Sequence, residues 1–416
     1  MNTKSLLIRF SIAIVICNIS CTKNPSAREP ENSSSDFARK AATYQNPFGV
    51  LVSETYGDPD GKRHFLSHQN EANLAHDLGV AYARIAVSNL KWAKPNSRAN
   101  FLDEYKAFTN STPSIHILLN VNWGEHSAGA QTFPGATPEY QAFIKDLTDT
   151  LTSPGYIPPA VIVVENEENN PQFHVVNTYA DQAKYIDMLS YDIQACHARN
   201  LKVTNGGLTH LAVNLKVHDY FLNNLRDTAR ADTFAHAVFP DDIISMLYNN
   251  YFTKRRNISL YYFAAYAQLN LDYVNMHWYE PVKLAYWFDT VRAVGIDTNH
   301  ISPGALVEVK NFFRDPNAVG GHQLIINELG QINPATELPQ ESTCNVQDLP
   351  YVIYYSGDRD QYRGIRPYRQ YALHNTYTTG NPPYTLRATG IAFRNNIANI
   401  IANPYVFCIP LAPNNR

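Results

Sequence analysis

The sequence has few charged side chains and no block of cations. Asp, Glu, Lys and Arg make up 17% of the 416 residues, and 34 basic against 37 acidic residues leave a formal net charge of -3. Affinity for nucleic acid comes largely from clustered cations, so this balance argues against a nucleic-acid partner. The hydrophobic fraction of 44% excludes a disordered or coiled-coil chain.

Several motifs of other enzyme classes are also absent. No cysteine pair has zinc-site spacing, and there is no Gly-x-Ser-x-Gly elbow, phosphate loop or dinucleotide fingerprint. Cys344 and Cys408 are candidates for a disulfide in an oxidising compartment. Cys196 lies in a helical pattern, which predicts a buried thiol.

The amino-terminal segment has the pattern of an export signal. Lys4 and Arg9 precede a short apolar run at 10–17, and Ser20 stands before Cys21. Residues 1–20 resemble a bacterial lipoprotein signal, which implies that Cys21 is lipidated. Residues 21–45 are rich in Ser, Asn and Pro and predict a flexible tether. We therefore expect a protein held at a bacterial membrane by its lipid. Export as a soluble periplasmic or secreted protein is the alternative.

The rest of the chain, residues 46–416, alternates short apolar runs with helical patterns. Eight runs are rich in β-branched and aliphatic residues, as expected of parallel strands that are buried on both faces. This alternation predicts an α/β fold, a single (β/α)8 (TIM) barrel with long βα loops. The predicted strands are Phe48–Glu54, Val80–Val87, Ile115–Trp123, Ala160–Glu167, Lys202–Thr209, Leu271–Tyr279, Gln323–Gly330 and Ala388–Arg394.

Two connections in this pattern are unusually long. The segment between Thr209 and Leu271 predicts two helices, near Lys216–Arg226 and Ser259–Leu269, and the segment at 330–362 predicts a long loop. Both follow the carboxyl ends of strands, the side of a barrel on which active sites are built.

Carboxylates end the fourth and seventh predicted strands. Glu165 and Glu167 lie at the end of the fourth run, Glu168 comes directly after it, and Glu328 lies near the end of the seventh. Strands four and seven lie on opposite sides of an eight-stranded ring, so their terminal side chains converge across its mouth. A protonated and an ionised carboxyl group facing each other are the chemical requirement for glycoside hydrolysis.

These residues resemble those of the clan A retaining glycoside hydrolases. The resemblance implies that Glu167, in the pair Asn166-Glu167, is the acid/base and that Glu328 is the nucleophile. It also implies substrate-binding or supporting roles for Arg84 on strand two, for Asn166, and for His277 and Tyr279 on strand six. In this clan the tyrosine hydroxyl donates a hydrogen bond to the nucleophile, and Asn166 would bind the sugar 2-hydroxyl.

The pattern departs from the clan at several places. Glu165 and Glu168 occupy positions where the clan often has Trp and Pro, so the acid/base role could move to either of them. Alternation predicts that Glu165 points into the barrel interior, where it would need Arg84 or a proton. The predicted eighth strand lacks the tryptophan that commonly lies beneath the sugar, so Phe393 or Trp123 would provide the stacking surface.

Together these expectations predict an exported, lipid-anchored retaining β-glycosidase that acts on poly- or oligosaccharide without metal or cofactor. A non-catalytic glycan-binding barrel is the alternative from another functional class. A metal-dependent barrel hydrolase is disfavoured because strand one does not end in His-x-His.

Overall fold

The structure is a computed structural model that describes residues 44–52, 66–124, 130–280, 303–331, 346–356, 372–376 and 382–403. The predicted signal, the lipidation site Cys21, nearly all of the tether and the pair Cys344 and Cys408 lie outside these residues. Cys196 is buried and unpaired, as predicted. Among the helices in the described ranges, none is both long and apolar enough to cross a bilayer.

Eight parallel strands close into a barrel, which confirms the predicted fold class. Each strand pairs with the next along the chain, and the last pairs with the first, with Phe48 opposite Val352. The strands are β1 (Phe48–Val52), β2 (Tyr82–Ser88), β3 (His116–Asn122), β4 (Val161–Val164), β5 (Val203–Asn205), β6 (Tyr273–Glu280), β7 (Gln323–Gln331) and β8 (Val352–Ser356).

The barrel interior changes from apolar to polar along the strands. A buried cluster inside the ring contains Leu118, Val161, Val163, Ile325 and Ile353. Side chains two residues further along a strand face the same side. Asn120 and Asn327 therefore stand above Leu118 and Ile325, towards the carboxyl ends of the strands. Packed aliphatic layers thus support a polar layer at the end where a barrel builds its active site.

Helices cover the outer face of the barrel. Their amphipathic faces pack on the strands in a second, larger hydrophobic cluster. The helices are α1 (His68–Asp77), α2 (Asn89–Trp92), α3 (Pro95–Thr109), α4 (Pro138–Leu151), α5 (Tyr179–His197), α6 (His210–Asp219), α7 (Thr228–Val238), α8 (Asp241–Ile244), α9 (Asn250–Tyr266), α10 (Pro303–Arg314), α11 (Pro316–Val319) and α12 (Ala388–Ala402).

The prediction for the eighth strand is wrong. Ala388–Arg394 begins α12, in which Phe393, Ile397 and Ile400 recur at helical spacing and are buried. The eighth strand is β8, within the segment predicted to be a long loop. Its five residues, Val-Ile-Tyr-Tyr-Ser, are all buried. Two further short strands, β9 (His374–Thr376) and β10 (Tyr384–Leu386), pair antiparallel outside the barrel.

The long connection between β5 and β6 is mostly helical. It contains α6, a π-helical turn at Tyr220–Asn224, and then α7, α8 and α9. The second predicted helix falls partly on α9, whereas the first overlaps the end of α6 and the π-helical turn. All but two residues of α6 are buried, because α7, α9 and α10 pack around it.

Candidate active site

A backbone turn after β4 and a bulge in β7 bring the two predicted catalytic glutamates to the mouth of the barrel. Glu165 and Glu167 adopt left-handed φ angles of 69° and 48°. Such angles are uncommon outside glycine and are found at functional turns. In β7 the pairing register shifts by one residue, so that Met276 faces Ile326 but His277 faces Glu328. The extra residue, Asn327, re-aims the following glutamate towards His277.

Glu328 is held as a carboxylate by two donors. Arg84 Nη1 donates to Oε2 and the Tyr279 hydroxyl donates to Oε1. Burial alone would raise the pKa of Glu328. The charges of His277 and Arg84, with the hydrogen bonds from Tyr279 and Arg84, outweigh burial and lower that pKa to about 2. The structure therefore brings Arg84, Tyr279 and Glu328 together as predicted from the sequence.

Glu167 has partners on both of its carboxyl oxygens. Nδ1 of His277 lies 2.9 Å from Oε1, and the side-chain amide of Asn170 donates to Oε2 across 2.6 Å. The backbone carbonyl of Glu167 accepts from the Asn170 N–H at 2.7 Å, which fixes the turn. About 15% of the Glu167 side chain is exposed, so the carboxyl group is oriented but open to a ligand.

His277 lies between the two glutamates. Its Nδ1 atom is 2.9 Å from Glu167 Oε1 and 3.8 Å from Glu328 Oε2. These two oxygens are therefore no farther apart than about 6.7 Å, and they reach that separation only if the nitrogen lies on the line between them. One nitrogen of His277 thus lies near two carboxyl groups, one from β7 and one from the turn after β4.

Arg84 connects the glutamates to the polar layer below them. Its Nε donates to Asn120 Oδ1 at 2.8 Å, and its Nη2 donates to Asn166 Oδ1 at 2.5 Å. Nη1 also reaches the backbone carbonyl of Asn327 at 3.2 Å. Because its carbonyl oxygen faces Arg84, Asn166 has its amide nitrogen directed elsewhere. A buried guanidinium with this many partners has one orientation.

A belt of buried asparagines lies beneath the site, and sequence reasoning missed it. Asn275 Nδ2 donates to the carbonyl of Asn205 at 3.2 Å, and Asn275 Oδ1 accepts from the N–H of Asn327 at 3.0 Å. Asn327 Nδ2 then donates to Asn120 Oδ1 at 3.2 Å. The belt ties β3, β5, β6 and β7 together. An Asn near the end of successive strands was the available signal.

The neighbouring acids Glu165 and Glu168 are fully buried. Glu165 accepts from the N–H of Trp123 at 2.8 Å, and burial raises its pKa well above the ordinary value. Burial favours its protonated form, and its carboxyl group lies on the side of α5, close to Asp192, rather than in the barrel interior as alternation predicted. Burial likewise raises the pKa of Glu168 to about 7, although Asn205 and Tyr266 donate to it.

The aromatic side chains predicted to stack on a sugar pack against other rings in the structure. The Trp123 ring packs edge-on against Tyr140 of α4 at 5.8 Å. Phe393 is buried on the outer side, where its ring packs against Tyr354 at 4.3 Å. Both contacts join the barrel to a surrounding helix. Instead β8 places Tyr355 beside Tyr279, with ring centroids 6.4 Å apart.

Within the described ranges, no group of three or more His, Cys, Asp or Glu side chains is arranged to hold a metal ion. The polar groups at the mouth of the barrel instead pair with one another, through the contacts of Arg84, His277 and Tyr279. The arrangement has the parts that acid/base and nucleophilic chemistry at one bond requires: an ionised carboxylate and a second carboxyl group open to a ligand.

No protein-family model and no curated protein sequence matches the chain. Solved glycoside hydrolases nevertheless have a similar fold. A glucosidase from Croceicoccus marinus is 11% identical with a TM-score of 0.50, and the alignment covers 86% of this chain and 68% of that one. A family 39 glycoside hydrolase from Bacteroides cellulosilyticus WH2 is 12% identical with a TM-score of 0.44. A family 1 β-glucosidase from Thermotoga maritima is 9% identical with a TM-score of 0.49.

Coverage differs between these proteins. The alignment with the family 39 enzyme covers 86% of this chain but 63% of that enzyme, so the chain spans less than two thirds of its length. The alignment with the Thermotoga maritima enzyme covers 85% of this chain and 97% of that one. At 11% identity, the likeness to the Croceicoccus marinus glucosidase shows the fold alone, a (β/α)8 barrel.

Proposed function

We propose that the protein is a retaining β-glycosidase that acts on poly- or oligosaccharide, with Glu328 as nucleophile and Glu167 as acid/base. The observation that carries the proposal is the pair itself. An ionised Glu328, held by Arg84 and Tyr279, faces Glu167 across the imidazole of His277. Carboxyl groups in such a pair are the machinery of glycoside hydrolysis.

Glu167 suits the acid/base role better than its neighbours. Glu165 and Glu168 have no exposed surface, whereas Glu167 is partly exposed at the mouth of the barrel. An acid must reach the glycosidic oxygen to within hydrogen-bond distance. The two buried glutamates do not meet this condition, so the alternative assignments to them lose their support.

The spacing of the two carboxyl groups favours retention of configuration. Inverting glycosidases keep their carboxyl groups about 6.5–9.5 Å apart to admit a water, and retaining ones about 5–5.5 Å. Here the upper bound between Glu167 Oε1 and Glu328 Oε2 is about 6.7 Å, at the lower edge of the inverting range. Any bend at the shared nitrogen shortens the separation further.

In the proposed mechanism Glu328 attacks the anomeric carbon while Glu167 gives its proton to the departing oxygen. The glycosidic bond breaks and a glycosyl ester with Glu328 forms. Glu167, now ionised, takes a proton from water, whose oxygen attacks the same carbon and releases Glu328. Two displacements at one carbon restore its configuration. The side-chain amide of Asn166 would bind the 2-hydroxyl, and Tyr355 would support the sugar ring.

We also propose that the protein carries out this reaction outside the cytoplasm, at the cell envelope. The signal pattern at 1–20 and Cys21 support export and a lipid anchor at the cell envelope, with residues 21–45 as the tether. A barrel held in this way would act on carbohydrate outside the cytoplasm. Cleavage after Ser20 without lipid, giving a soluble periplasmic or secreted protein, is the alternative.

The test is a screen of the purified protein against plant, algal and microbial glycans, with Glu328→Gln in parallel. Release of reducing sugar by the wild type alone is the expected result, and NMR of the first product should show the substrate's own anomeric configuration. Binding of a glycan by both proteins with cleavage by neither would contradict the proposal and indicate a carbohydrate-binding barrel.

A further inference from the structure

His210 is a buried histidine at the mouth of the barrel to which sequence reasoning gave no role. It is the first residue of α6, and 6% of it is exposed. Its Nε2 atom has no hydrogen-bond partner among the residues that the structure describes. Leaving a buried polar nitrogen unpaired is unfavourable, so such a group calls for an explanation.

The loop contacts around His210 hold it beside the acid/base. The Thr209 N–H donates to Asn169 Oδ1 at 3.0 Å, and Asn169 Nδ2 donates to Thr209 Oγ1 at 3.1 Å. Asn169 is two residues after Glu167, so these bonds tie the start of α6 to the turn that carries the acid/base. On the other side, the His277 N–H donates to the carbonyl of Leu208 at 2.9 Å.

The electrostatics of His210 agree with this location and indicate an uncharged ring. Burial is the largest effect and lowers the pKa of His210 to about 4. Glu167 opposes that shift and His277 adds to it, so both lie within electrostatic reach. A neutral imidazole has one donor and one acceptor nitrogen. It is therefore suited to a hydroxyl group rather than to an anion.

The position also indicates which part of a substrate His210 would meet. In a retaining site the transferred sugar lies over the nucleophile, and the acid stands at the bond to the leaving group. Arg84 and Tyr279 surround Glu328, whereas His210 adjoins the turn of Glu167. His210 is thus on the leaving-group side of the bond that would be cut.

We propose that His210 is a specificity-determining residue that hydrogen-bonds a hydroxyl of the leaving-group sugar. The proposal rests on the glycosidase function proposed above. The ligand class is a neutral, hydroxylated sugar; an uncharged ring offers no ion pair to a uronate or a sulfated sugar. The contact would be made at the part of the ring that is exposed, since Nε2 itself is buried.

The test compares leaving groups on one transferred sugar. The probes are β-linked disaccharides of glucose, xylose, mannose and galactose, each with the 4-nitrophenyl β-glycoside of the same sugar. The full chain is assayed as wild type, His210→Ala, His210→Gln and His218→Ala. His218 is a buried histidine two turns further along α6, away from Glu167, and controls for the loss of an imidazole from this helix.

We compare the variants on a disaccharide and a nitrophenyl glycoside of the same sugar that the wild type cleaves. For the disaccharide, we expect His210→Ala to lower kcat/KM about 10- to 100-fold. This range corresponds to a polar contact left unpaired. For the nitrophenyl glycoside kcat/KM should stay within twofold, because that leaving group has no hydroxyl for the ring to bind. His210→Gln should recover part of the loss, and His218→Ala should match the wild type on both probes.

A second readout separates His210 from the acid itself. For a series of aryl glycosides, log(kcat/KM) is plotted against the pKa of the leaving phenol. The slope should be the same for His210→Ala and the wild type, whereas loss of Glu167 should make the slope steeper. Nitrophenyl glycoside turnover also reports a folded site, so if His210→Ala does not fold, His210→Gln carries the comparison.

The outcomes against the proposal are distinct. Equal losses on both probes, or no loss on either, would overturn the assignment of His210 while leaving the glycosidase function standing. A wild type that cleaves no pair would overturn the glycosidase function, and the assignment of His210 with it.

Discussion

The imidazole of His277 lies directly against the α-carbon of Gly207. A methyl group added at Gly207 would sit 2.3 Å from Nε2 of His277 and 2.4 Å from its Cδ2, and the backbone there has a φ of +106°. Gly207 thus meets two conditions that only glycine satisfies: a left-handed backbone and no side chain. The His277 ring, which contacts Glu167, therefore packs directly against the backbone of Gly207 in the loop after β5.

Gly207→Ala should therefore impair catalysis by moving His277. The added carbon must displace a ring whose Nδ1 lies 2.9 Å from Glu167. Displacements of about 1 Å in an active site cost about 100-fold in rate. We expect kcat/KM to fall about 10- to 100-fold on any substrate that the wild type cleaves.

Gly155→Ala is the matched control for backbone strain. Its φ is +98°, close to that of Gly207, but nothing lies within 4 Å of an added methyl. It should lower the thermal midpoint through strain at a positive φ and leave kcat/KM unchanged. Similar activity losses in the two variants would show that strain, rather than the contact with His277, is responsible.

Glu328→Ala should abolish turnover and leave the fold intact. The substitution removes the attacking carboxylate, and azide should restore cleavage of an activated aryl glycoside with inverted product, because the small anion attacks directly from the vacated side. Circular dichroism checks the fold, and NMR of the glycosyl azide gives its anomeric configuration. Full activity in this variant would contradict the nucleophile assignment.

Glu167→Ala should discriminate between substrates by their leaving group. Without the acid, a poor leaving group departs unprotonated, whereas a dinitrophenolate leaves readily without help. We expect kcat/KM to fall by about 100- to 10,000-fold for an oligosaccharide and far less for dinitrophenyl glycosides. An equal loss on both classes of substrate would show that another group supplies the proton.

The fold and the pair of glutamates were predictable because each depends on local sequence. Strand-like apolar runs that end in a carboxylate predicted Glu167 and Glu328, and in the structure both lie at the mouth of the barrel. The eighth strand was missed because β8 lies in a segment that is otherwise rich in Pro and Asn. The start of α12 consists of small and apolar residues and resembles a strand. Its helical spacing is visible only when Ile397 and Ile400 are included.

The supporting residues were not predictable, because their partners are distant in the chain. Asn327 lies 207 residues from the Asn120 oxygen that it contacts, and an Asn near the end of a strand does not by itself identify its partner. The direction of Glu165 was missed for a different reason. Strand alternation holds only while the backbone stays extended, and the positive φ angles at Glu165 and Glu167 end it.

Tyr279→Phe should shift the acid limb of the pH–rate profile to higher pH. The Tyr279 hydroxyl is one of the donors that lower the pKa of Glu328 to about 2. Catalysis needs this carboxylate ionised, so activity disappears as pH falls through its pKa. A hydrogen bond to a charged group contributes about 1.5–3 kcal/mol, which corresponds to roughly 1–2 pH units. The profile of kcat/KM reports the free enzyme, and an unchanged acid limb would contradict the role given to this hydroxyl.

Glu168→Gln should change the pH dependence of stability. Burial raises the pKa of Glu168 from 4.5 to about 7 in the folded chain, so the fold prefers the protonated form. The stability that this proton provides is complete below about pH 4.5 and is lost as pH rises through 7. That difference corresponds to about 3 kcal/mol. Gln keeps an oxygen for Asn205 and Tyr266 but never ionises.

Urea unfolding at pH 5 and pH 8 measures this effect. Relative to the wild type, Glu168→Gln should gain stability at pH 8 and change little at pH 5. Glu139→Gln, at an exposed position in the first turn of α4, removes an acid without burial and should show no such difference. If both variants track the wild type at both pH values, Glu168 is already ionised in the fold, and the asparagine belt then stabilises a buried carboxylate at neutral pH.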